Sequence, residues 1–588
     1  MGAEPDGPRT RFRLWAPSVD QVVLQLGEAR DGTPMKAAGA GWFELESDAA
    51  PPGTPYQFLL PDGLVVPDPA SRAQQDDVHG PSLVVDPAAY QWMHTHWRGR
   101  PREETVLDEL HVGTFSDTGD FDGVRRRLAE LAELGVTAIE LLPVADFPGR
   151  WNWGYDGVLQ FAPDRSYGTP EDLKRLIDAA HGHGLMVFLD VVYNHFGPDG
   201  NYLHVFARDF FTADKQTPWG AAIDFRRTEV REFFIENALY WLEEYRFDGL
   251  RFDAVHAIDE RWRRGFLAEL ATRVRQTITD RHVHLVLEND ANEAHWLHEN
   301  FDAQWNDDIH HVAHVLLTGE ASGYYEDYQG DVVAVFGRAL AEGFVYQGQP
   351  SAHRDGQPRG EPTGGLPPTA FVSFLQNHDQ VGNRAFGERI HQLAPPQPLQ
   401  AGTAMLLLAP QVPMLFMGEE SLADTPFLFF CDFGEELAQA VREGRRREFA
   451  GFPAFSSAAA REKIPDPAAP ATLAASRLPA SPSAAGREFR DFVARLLAIR
   501  RERLVPLLHD AAGGPADYSR WGEHGLAVSW RLAGDARLTL IANLGDAPAT
   551  PPAPPTGECL FAWPDTPRDA AGPMPGWSMA AWLARPAP

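Results

Sequence analysis

Cysteine is scarce in this chain of 588 residues, which contains only Cys431 and Cys559. Two cysteines are too few for a disulfide framework, and neither lies in a metal-ligand spacing, so we expect no disulfide. Apolar runs long enough to cross a bilayer, about 18 residues or more, are absent. Residues 1–10 are polar and lack the apolar centre of a signal peptide. These absences predict a soluble, cytoplasmic protein.

Basic residues are in deficit as well. Lys and Arg total 52 against 82 for Asp and Glu, which gives a formal net charge of -30. A surface of that sign repels phosphate backbones and anionic membranes, so we expect neither nucleic acid nor membrane as a partner. A neutral glucan is not repelled. The 16 Trp, 13 Tyr and 35 Phe offer flat faces for sugar rings, although core packing is the alternative use of each one.

The chain is longer than one hydrophobic core usually supports, and its texture changes twice. Residues 1–100 alternate in the strand sense between Pro-Gly and Asp-Gly turns and predict an N-terminal β-sandwich. Residues 101–500 alternate short strands with amphipathic helices, which predicts an α/β fold of the (β/α)8 barrel type. Residues 501–588 contain strand-like runs and predict a small C-terminal β-domain.

The strands of the predicted barrel are short apolar runs without alternation, as expected for strands buried on both faces. We place them near residues 106–110, 138–142, 186–190, 249–253, 284–288, 303–306, 371–376 and 413–417. The stretch 346–368, before the seventh strand, is rich in Gly, Pro and charge. It is interpreted either as a functional loop at the barrel mouth or as a solvated loop.

Four segments place carboxylates or imidazoles where predicted strands end: residues 190–195, 248–253, 287–288 and 377–379. Because the carboxyl ends of the strands in a parallel barrel meet on one face, these residues are expected to converge in one active site. Paired carboxylates suit glycoside hydrolysis, which needs one group beneath the sugar C1 and a protonated group beside the glycosidic oxygen.

These segments, in this order, resemble the α-amylase family of glycoside hydrolases and transglycosylases over nearly the whole chain. The resemblance implies that Asp253 is the nucleophile and Glu288 the general acid/base. It implies that Asp379 binds sugar hydroxyls and supports the distorted transition state. If the carboxyl groups of Asp253 and Glu288 lie about 5 to 5.5 Å apart, the reaction retains the anomeric configuration.

The resemblance also implies a set of substrate-binding residues around the three carboxylates: Tyr155, His195, Arg251, His256, Asp308, His378 and Gln380. Tyr155 matches the family's stacking tyrosine, and His195 and His378 match histidines that hydrogen-bond the sugar before the scissile bond. His256 stands where many amylases have a Lys-His pair on the leaving-group side, and packing inside the barrel is its alternative role. Asp308 and Gln380 are expected to line the cleft.

No metal or other cofactor is expected. Asn194 corresponds to a calcium ligand in many amylases, but no partner ligands are recognisable in this sequence. His310, His311 and His314 have helical spacing without a third ligand type, and we interpret them as an ordinary helix surface instead of a metal site.

The segments 253–259, 305–311, 377–384, 416–420 and 464–467 are similar to one branch of the family. The enzymes of that branch cleave the α-1,4 bond next to the terminal trehalose of maltooligosyltrehalose. A companion maltooligosyltrehalose synthase belongs to the same pathway, and whether the two form a physical complex stays open. A glycogen branching or debranching enzyme is the alternative within the family. A non-catalytic relative is a third possibility, against which the three intact carboxylates argue.

Overall fold

The computed structural model describes residues 1–27, 32–217, 220–509, 516–551, 556–564 and 572–586. Its largest unit is a closed barrel of parallel strands that are neighbours in chain order. The eight strands are Leu107–Leu110, Ala138–Leu141, Met186–Val191, Gly249–Phe252, His284–Leu287, Ala303–Trp305, Phe371–Ser373 and Val412–Phe416. The barrel closes where the first strand pairs with the eighth, at Leu107 and Met414. The predicted (β/α)8 barrel is confirmed.

Helices alternate with the barrel strands, and local sequence signals set their ends. The helix Phe121–Leu134 begins where the Asp120 side chain accepts from the Gly123 N–H and ends at Gly135, whose φ of 107° is left-handed. The longer helices are Phe121–Leu134, Pro170–Gly182, Thr228–Glu243, Glu260–Thr277, Asp307–Thr318, Val332–Glu342, Pro396–Leu408, Glu435–Glu448 and Ala484–Ile499. The shorter ones are Val112–Phe115, Leu203–Phe206, His295–Glu299, His378–Gly382, Ile390–Leu393, Ala458–Arg461 and Pro470–Ala475.

Strand alternation decides which side chains fill the barrel. Leu107, Phe188, Val286, Trp305 and Met414 form one buried cluster inside it. Successive side chains on a strand point to opposite faces, so residues two positions further along the same strands also point inward. On three of these strands those positions carry charge: Glu109 follows Leu107, Asp190 follows Phe188, and Glu288 follows Val286. The interior therefore changes from apolar at the amino end to charged at the carboxyl end.

Two antiparallel sheets precede the barrel. One contains Gly2–Asp6, Arg9–Trp15, Lys36–Gly39 and Trp42–Ser47, and the other Val23–Leu26, Thr33–Pro34, Pro55–Leu59, Val65–Val66 and Ser82–Leu83. Phe12 of the first sheet packs on Tyr56 of the second, with 5.0 Å between ring centroids, and both side chains are buried. This face-to-face packing confirms the predicted N-terminal sandwich.

A five-stranded antiparallel sheet follows the barrel and confirms the predicted C-terminal β-domain. Its strands are Asp517–Trp521, Gly525–Arg531, Arg537–Asn543, Glu558–Trp563 and Ser578–Ala584. Three strand pairs decorate the barrel: Ala145–Asp146 with Leu159–Pro163, Phe211–Thr217 with Gly220–Ile223, and Gln349–Pro350 with Pro358–Arg359. In the part of the chain that the structure describes, no helix combines the length and apolarity needed to cross a membrane.

Candidate active site

The carboxylates of Asp253 and Glu288 meet on one buried guanidinium. Arg251 Nη1 donates to Asp253 Oδ1 at 2.9 Å, and its Nη2 lies 2.7 Å from Glu288 Oε2. Arg251 is fully buried, and its guanidinium lies 4.1 Å from the ring centroid of Trp305. Because both carboxylates contact one small planar group, they lie close together at the carboxyl ends of strands four and five, as the sequence predicts.

The two carboxylates have different further partners. Asp253 Oδ2 accepts from Asn194 Nδ2 at 2.8 Å, so both oxygens of that side chain have a donor. Glu288 Oε2 also accepts from the Ala254 backbone N–H at 2.8 Å. Ala254 has a left-handed φ of 37°, and this turn after Asp253 aims its N–H at the glutamate. Both side chains keep some exposure to the cleft, 13% for Asp253 and 16% for Glu288.

Asp190 is a third carboxylate that contacts the Arg251 guanidinium. Arg251 Nη1 donates to its Oδ2 at 2.6 Å, and the Tyr155 hydroxyl donates to the same oxygen at 2.5 Å. Burial raises the pKa of Asp190 to about 7, although Arg251 and Tyr155 both favour its ionised form. The tyrosine ring, in turn, stacks on His378 with 5.1 Å between centroids and 18° between planes.

Asp379 and His378 lie at the start of the short helix after strand seven. Asn377 caps this helix, since its side chain accepts from the Asp379 N–H at 2.9 Å. The His378 ring lies between two carboxylates, with Nδ1 at 2.5 Å from Glu109 Oε1 and Nε2 at 3.5 Å from Asp379 Oδ1. Asp379 is 40% exposed at its side chain, which makes it the most open of the three predicted catalytic carboxylates.

His195 and His256 occupy contrasting environments. His195 is buried, and its Nε2 lies 3.0 Å from the Tyr155 carbonyl oxygen. Burial lowers the pKa of His195 to about 4, so the ring is neutral near pH 7. His256 is exposed on the turn after strand four, and its Nδ1 accepts from the Asp290 N–H at 3.3 Å. The alternative role of His256, packing inside the barrel, is therefore wrong.

Asp308 does not line the cleft, contrary to the expectation from the sequence. Its side chain is fully buried and accepts from Asn292 Nδ2 at 2.9 Å, from the Val345 N–H at 2.6 Å and from the Tyr328 hydroxyl at 2.5 Å. The preceding residue, Asp307, is the one with partial exposure. Burial, together with Glu288 and Asp290, raises the pKa of Asp307 well above its ordinary value. Strand alternation beyond Trp305 was the signal that points to Asp307.

Gln380 is placed by its own helix. Its Oε1 accepts from the Asn377 N–H at 2.9 Å, which completes a reciprocal capping box with the Asn377 side chain. The side chain is half-buried. Gln380 therefore fixes the helix start that carries His378 and Asp379, and this capping contact is the role that its geometry supports.

Models of known protein families match two parts of this chain. A model of the alpha-amylase catalytic domain matches residues 95–219, and a model described as a domain of unknown function matches residues 513–581. The malto-oligosyltrehalose trehalohydrolase of Deinococcus radiodurans is 41% identical over 554 residues, which cover 92% of this chain and 88% of that protein. The corresponding protein of Saccharolobus solfataricus is 42% identical over 460 residues, covering 76% and 80%. This chain belongs to the malto-oligosyltrehalose trehalohydrolase family.

Solved structures share this fold, and a more distant relative matches part of the chain. A 1.4 Å crystal structure of a Salmonella typhimurium protein superimposes with a TM-score of 0.94 at 46% identity, covering 99% of both chains. A pullulanase from Paenibacillus barengoltzii gives a TM-score of 0.74 at 20% identity over 100% of this chain and 95% of that one, a likeness of fold. A glucan branching enzyme of Rhodospirillum rubrum is 34% identical but covers only 43% of this chain and 39% of its own. The trehalohydrolase family thus matches far more of the chain than the branching enzyme does.

The histidines of the helix Asp307–Thr318 correct a second expectation in this member of the trehalohydrolase family. His310 and His314 are buried, so the three histidines do not form an ordinary helix surface. His310 Nδ1 lies 2.6 Å from the Leu375 carbonyl oxygen, and the His314 ring stacks on Tyr325 at 4.3 Å. Burial lowers the pKa of His310 to about 3. Among the described residues, no group of three His, Cys, Asp or Glu side chains is arranged to hold a metal ion.

Proposed function

We propose that this chain is a retaining glycoside hydrolase that cleaves the α-1,4-glucosidic bond next to the terminal trehalose of maltooligosyltrehalose. Trehalose and a shorter maltooligosaccharide are the products, and a companion synthase supplies the substrate. The names of the relatives support the substrate. The observation that carries the chemistry is the contact of Asp253 and Glu288 with one guanidinium at adjacent strand ends.

The contacts of Glu288 suggest which oxygen carries the acid proton. Its Oε2 faces the Arg251 guanidinium and the Ala254 N–H, and a proton on that oxygen would oppose both. The acid proton therefore belongs on Oε1, which protonates the glycosidic oxygen as the bond to trehalose breaks. After trehalose leaves, the same oxygen takes a proton from the attacking water.

Asp253 acts as the nucleophile on C1 of the glucose that precedes trehalose. Arg251 and Asn194 each donate to one of its oxygens, so the carboxylate is held in one orientation before the substrate arrives. Water attacks the covalent glycosyl-enzyme from the face that trehalose has left, so the new reducing end is released in the α configuration. Anomeric NMR of the newly released maltooligosaccharide, recorded before mutarotation, tests this step, and initial release of the β anomer would contradict it.

Asp379 and the groups around it stabilise the positive charge that develops on the sugar. Asp379 is the most exposed of the three proposed catalytic carboxylates, and His378 beside it is fixed by Glu109 and by stacking on Tyr155. We assign these groups to the hydroxyls and ring of the sugar that is attacked. Interactions that strengthen as the ring flattens towards the oxocarbenium ion raise kcat, so loss of Asp379 lowers kcat more than it raises KM.

His256 is assigned to the leaving-group side. Its Nδ1 accepts the Asp290 N–H, so the neutral ring carries its proton on Nε2 and is a donor to the departing disaccharide. Asp290 lies two residues after Glu288, which places this donor beside the general acid. Replacing His256 by Ala removes that donor and should raise KM for the trehalose-bearing substrate.

Two substitutions test the proposed chemistry. Glu288→Gln and Asp253→Asn keep the size of each side chain but remove the acid and the nucleophile, and each is expected to lower kcat at least about 10⁴-fold. Glu299→Gln is the matched control, since Glu299 pairs with Arg264 on the outer surface and lies in none of the contacts above. Trehalose release at the normal rate by the Glu288→Gln protein would sink the assignment.

A further inference from the structure

Exposed aromatic rings cluster at the carboxyl end of the barrel. Over the described ranges, the large hydrophobic side chains that stand out as exposed are Met93, Tyr324, Phe386, Phe452 and Tyr518. Three of these five follow consecutive barrel strands: Tyr324 follows strand six, Phe386 strand seven and Phe452 strand eight. Single exposed apolar residues need no explanation, but rings on three adjacent loops of the catalytic face form a patch that does.

Contacts join these loops into one surface. Asn383 Nδ2 donates to Asp379 Oδ1 at 3.2 Å, and the next residue, Arg384, binds Glu320 at 2.8 and 3.1 Å. The loop of strand seven is thereby tied to the segment that carries Tyr324. Phe386 is only two residues past Arg384, within about 7 Å of it along the chain. Its ring lies 5.8 Å from that of Phe455, which belongs to the segment after strand eight.

The rings after strand eight rest on a fixed base. Phe449 is buried beneath them, at 5.9 Å from Phe452 and 5.4 Å from Phe455 between ring centroids. The Arg445 guanidinium lies 4.8 Å from the Phe449 ring centroid and donates to the Gly382 carbonyl at 2.7 Å. Gly382 ends the short helix that begins with His378 and Asp379. The patch is therefore anchored to the helix that carries a proposed catalytic carboxylate.

We propose that Phe386, Phe452 and Phe455 form a shelf that binds the α-1,4-glucan chain of the substrate beyond the catalytic cleft. The inference rests on the proposed function, because it assigns one end of that substrate. His256 and Asp290 mark the leaving-group side at strands four and five, whereas the shelf follows strands seven and eight on the side of Asp379. The non-reducing glucan chain therefore runs over the shelf. Neutral sugar rings present apolar faces to Phe without the charge repulsion that an anionic ligand meets here.

The test compares two substrates that differ only in glucan length. The kcat/KM for trehalose release is measured with maltosyltrehalose and with maltopentaosyltrehalose, using the unmodified protein and the double variant Phe386→Ala/Phe452→Ala. The shelf predicts that the ratio of long to short kcat/KM falls about tenfold, because only the longer chain reaches the rings. Tyr518→Ala is the matched control, an exposed ring on the C-terminal sheet whose loss leaves the ratio unchanged.

A binding measurement keeps the shelf separate from the reaction. Maltoheptaose is titrated into the unmodified protein and the double variant by calorimetry, with thermal unfolding confirming that the variant folds. A Kd for maltoheptaose that rises about tenfold in the variant supports the shelf even if trehalose release fails, which would overturn the proposed function alone. An unchanged ratio and an unchanged Kd would overturn the shelf.

Discussion

Arg251 is the residue on which the proposed chemistry depends most. One guanidinium contacts Asp190, Asp253 and Glu288 while it is fully buried. A lysine ammonium is a point donor that cannot reproduce this planar fork. We expect Arg251→Lys to lower kcat at least about 100-fold and to destabilise the fold, because the carboxylates below it lose a partner. Arg264→Lys, at an exposed ion pair, is the control. Kinetics near those of the unmodified protein would contradict this role for Arg251.

His378 should give the protein an alkaline limit. Burial lowers the pKa of the ring, but the carboxylates of Glu109 and Asp379 outweigh burial and raise it to about 9. The folded pKa thus exceeds the unfolded value of about 6.5. The resulting stability is fully present below about pH 6.5 and is lost as pH rises through about 9.

Glu109→Gln tests that limit. Both Glu109 oxygens contact His378, one at the ring and one at the backbone N–H at 2.9 Å, and the amide keeps the shape without the charge. The alkaline limb of kcat/KM, and of the melting temperature against pH, should move to lower pH. A variant that lowers activity equally at every pH would show that Glu109 acts only through packing.

At the scale of elements, the sequence predicted those side-chain positions that depend on the alternation of side chains along a strand. Asp253 and Glu288 follow apolar strand runs, and the parallel barrel brings those strand ends together. The same alternation, continued past Trp305, points to Asp307 and not to Asp308, the residue that the sequence analysis selected. The helix Asp307–Thr318 begins at this point, and the partners of Asp308 include Tyr328 and Val345. These partners come from distant segments that no local pattern reveals.

The expectation that the three histidines form an ordinary helix surface was wrong for the same reason. His310, His311 and His314 have the spacing of a polar helix face, which the sequence analysis placed in solvent. The structure covers that face with Tyr325 and Tyr328 of the segment Gly323–Tyr328. A short aromatic segment that packs back on the preceding helix leaves no periodic signal in the sequence. Local periodicity therefore predicted the helix but not what lies against it.

Residues 345–363 form a segment, here called the strap, that Asp308 holds in place through several contacts. Besides the Val345 and Tyr346 N–H groups, Asp308 interacts with Arg359 at 3.2 Å. Arg359 Nε also donates to the Asp290 carbonyl at 2.9 Å, close after Glu288. The sequence left residues 346–368 open between a functional loop at the barrel mouth and a solvated loop, and the contact of Arg359 with Asp290 favours the functional loop.

Asp308→Ala should therefore loosen the strap and destabilise the protein. Several buried donors and the Arg359 charge lose their acceptor, which costs about 3–5 kcal/mol of unfolding free energy. Denaturant unfolding measures this loss. Glu326→Ala, at an exposed position in the neighbouring segment, should stay within about 0.5 kcal/mol. A stable Asp308→Ala protein would mean that the strap is held by other contacts.

At the scale of the whole molecule, the N-terminal sandwich region packs against the barrel region. Trp15 of the sandwich lies 6.4 Å from the Phe210 ring of the barrel region, and the Arg72 guanidinium lies 4.2 Å from the Tyr240 ring. The boundaries at residues 100 and 500 stay predictions: residue 100 lies between the strands Ser82–Leu83 and Leu107–Leu110, and residue 500 directly follows the helix Ala484–Ile499. The charge of -30 belongs to the same scale, since it disfavours anionic partners and leaves neutral glucans unaffected.

Product analysis tests the central claim most directly. The protein is incubated separately with maltotriosyltrehalose, maltopentaose and amylose, and the products are separated by chromatography. The proposed function predicts one trehalose for each molecule of maltotriosyltrehalose cleaved, with little action on the other two. Amylose that gains α-1,6 branches or is cut at random, without trehalose from the first substrate, would contradict it.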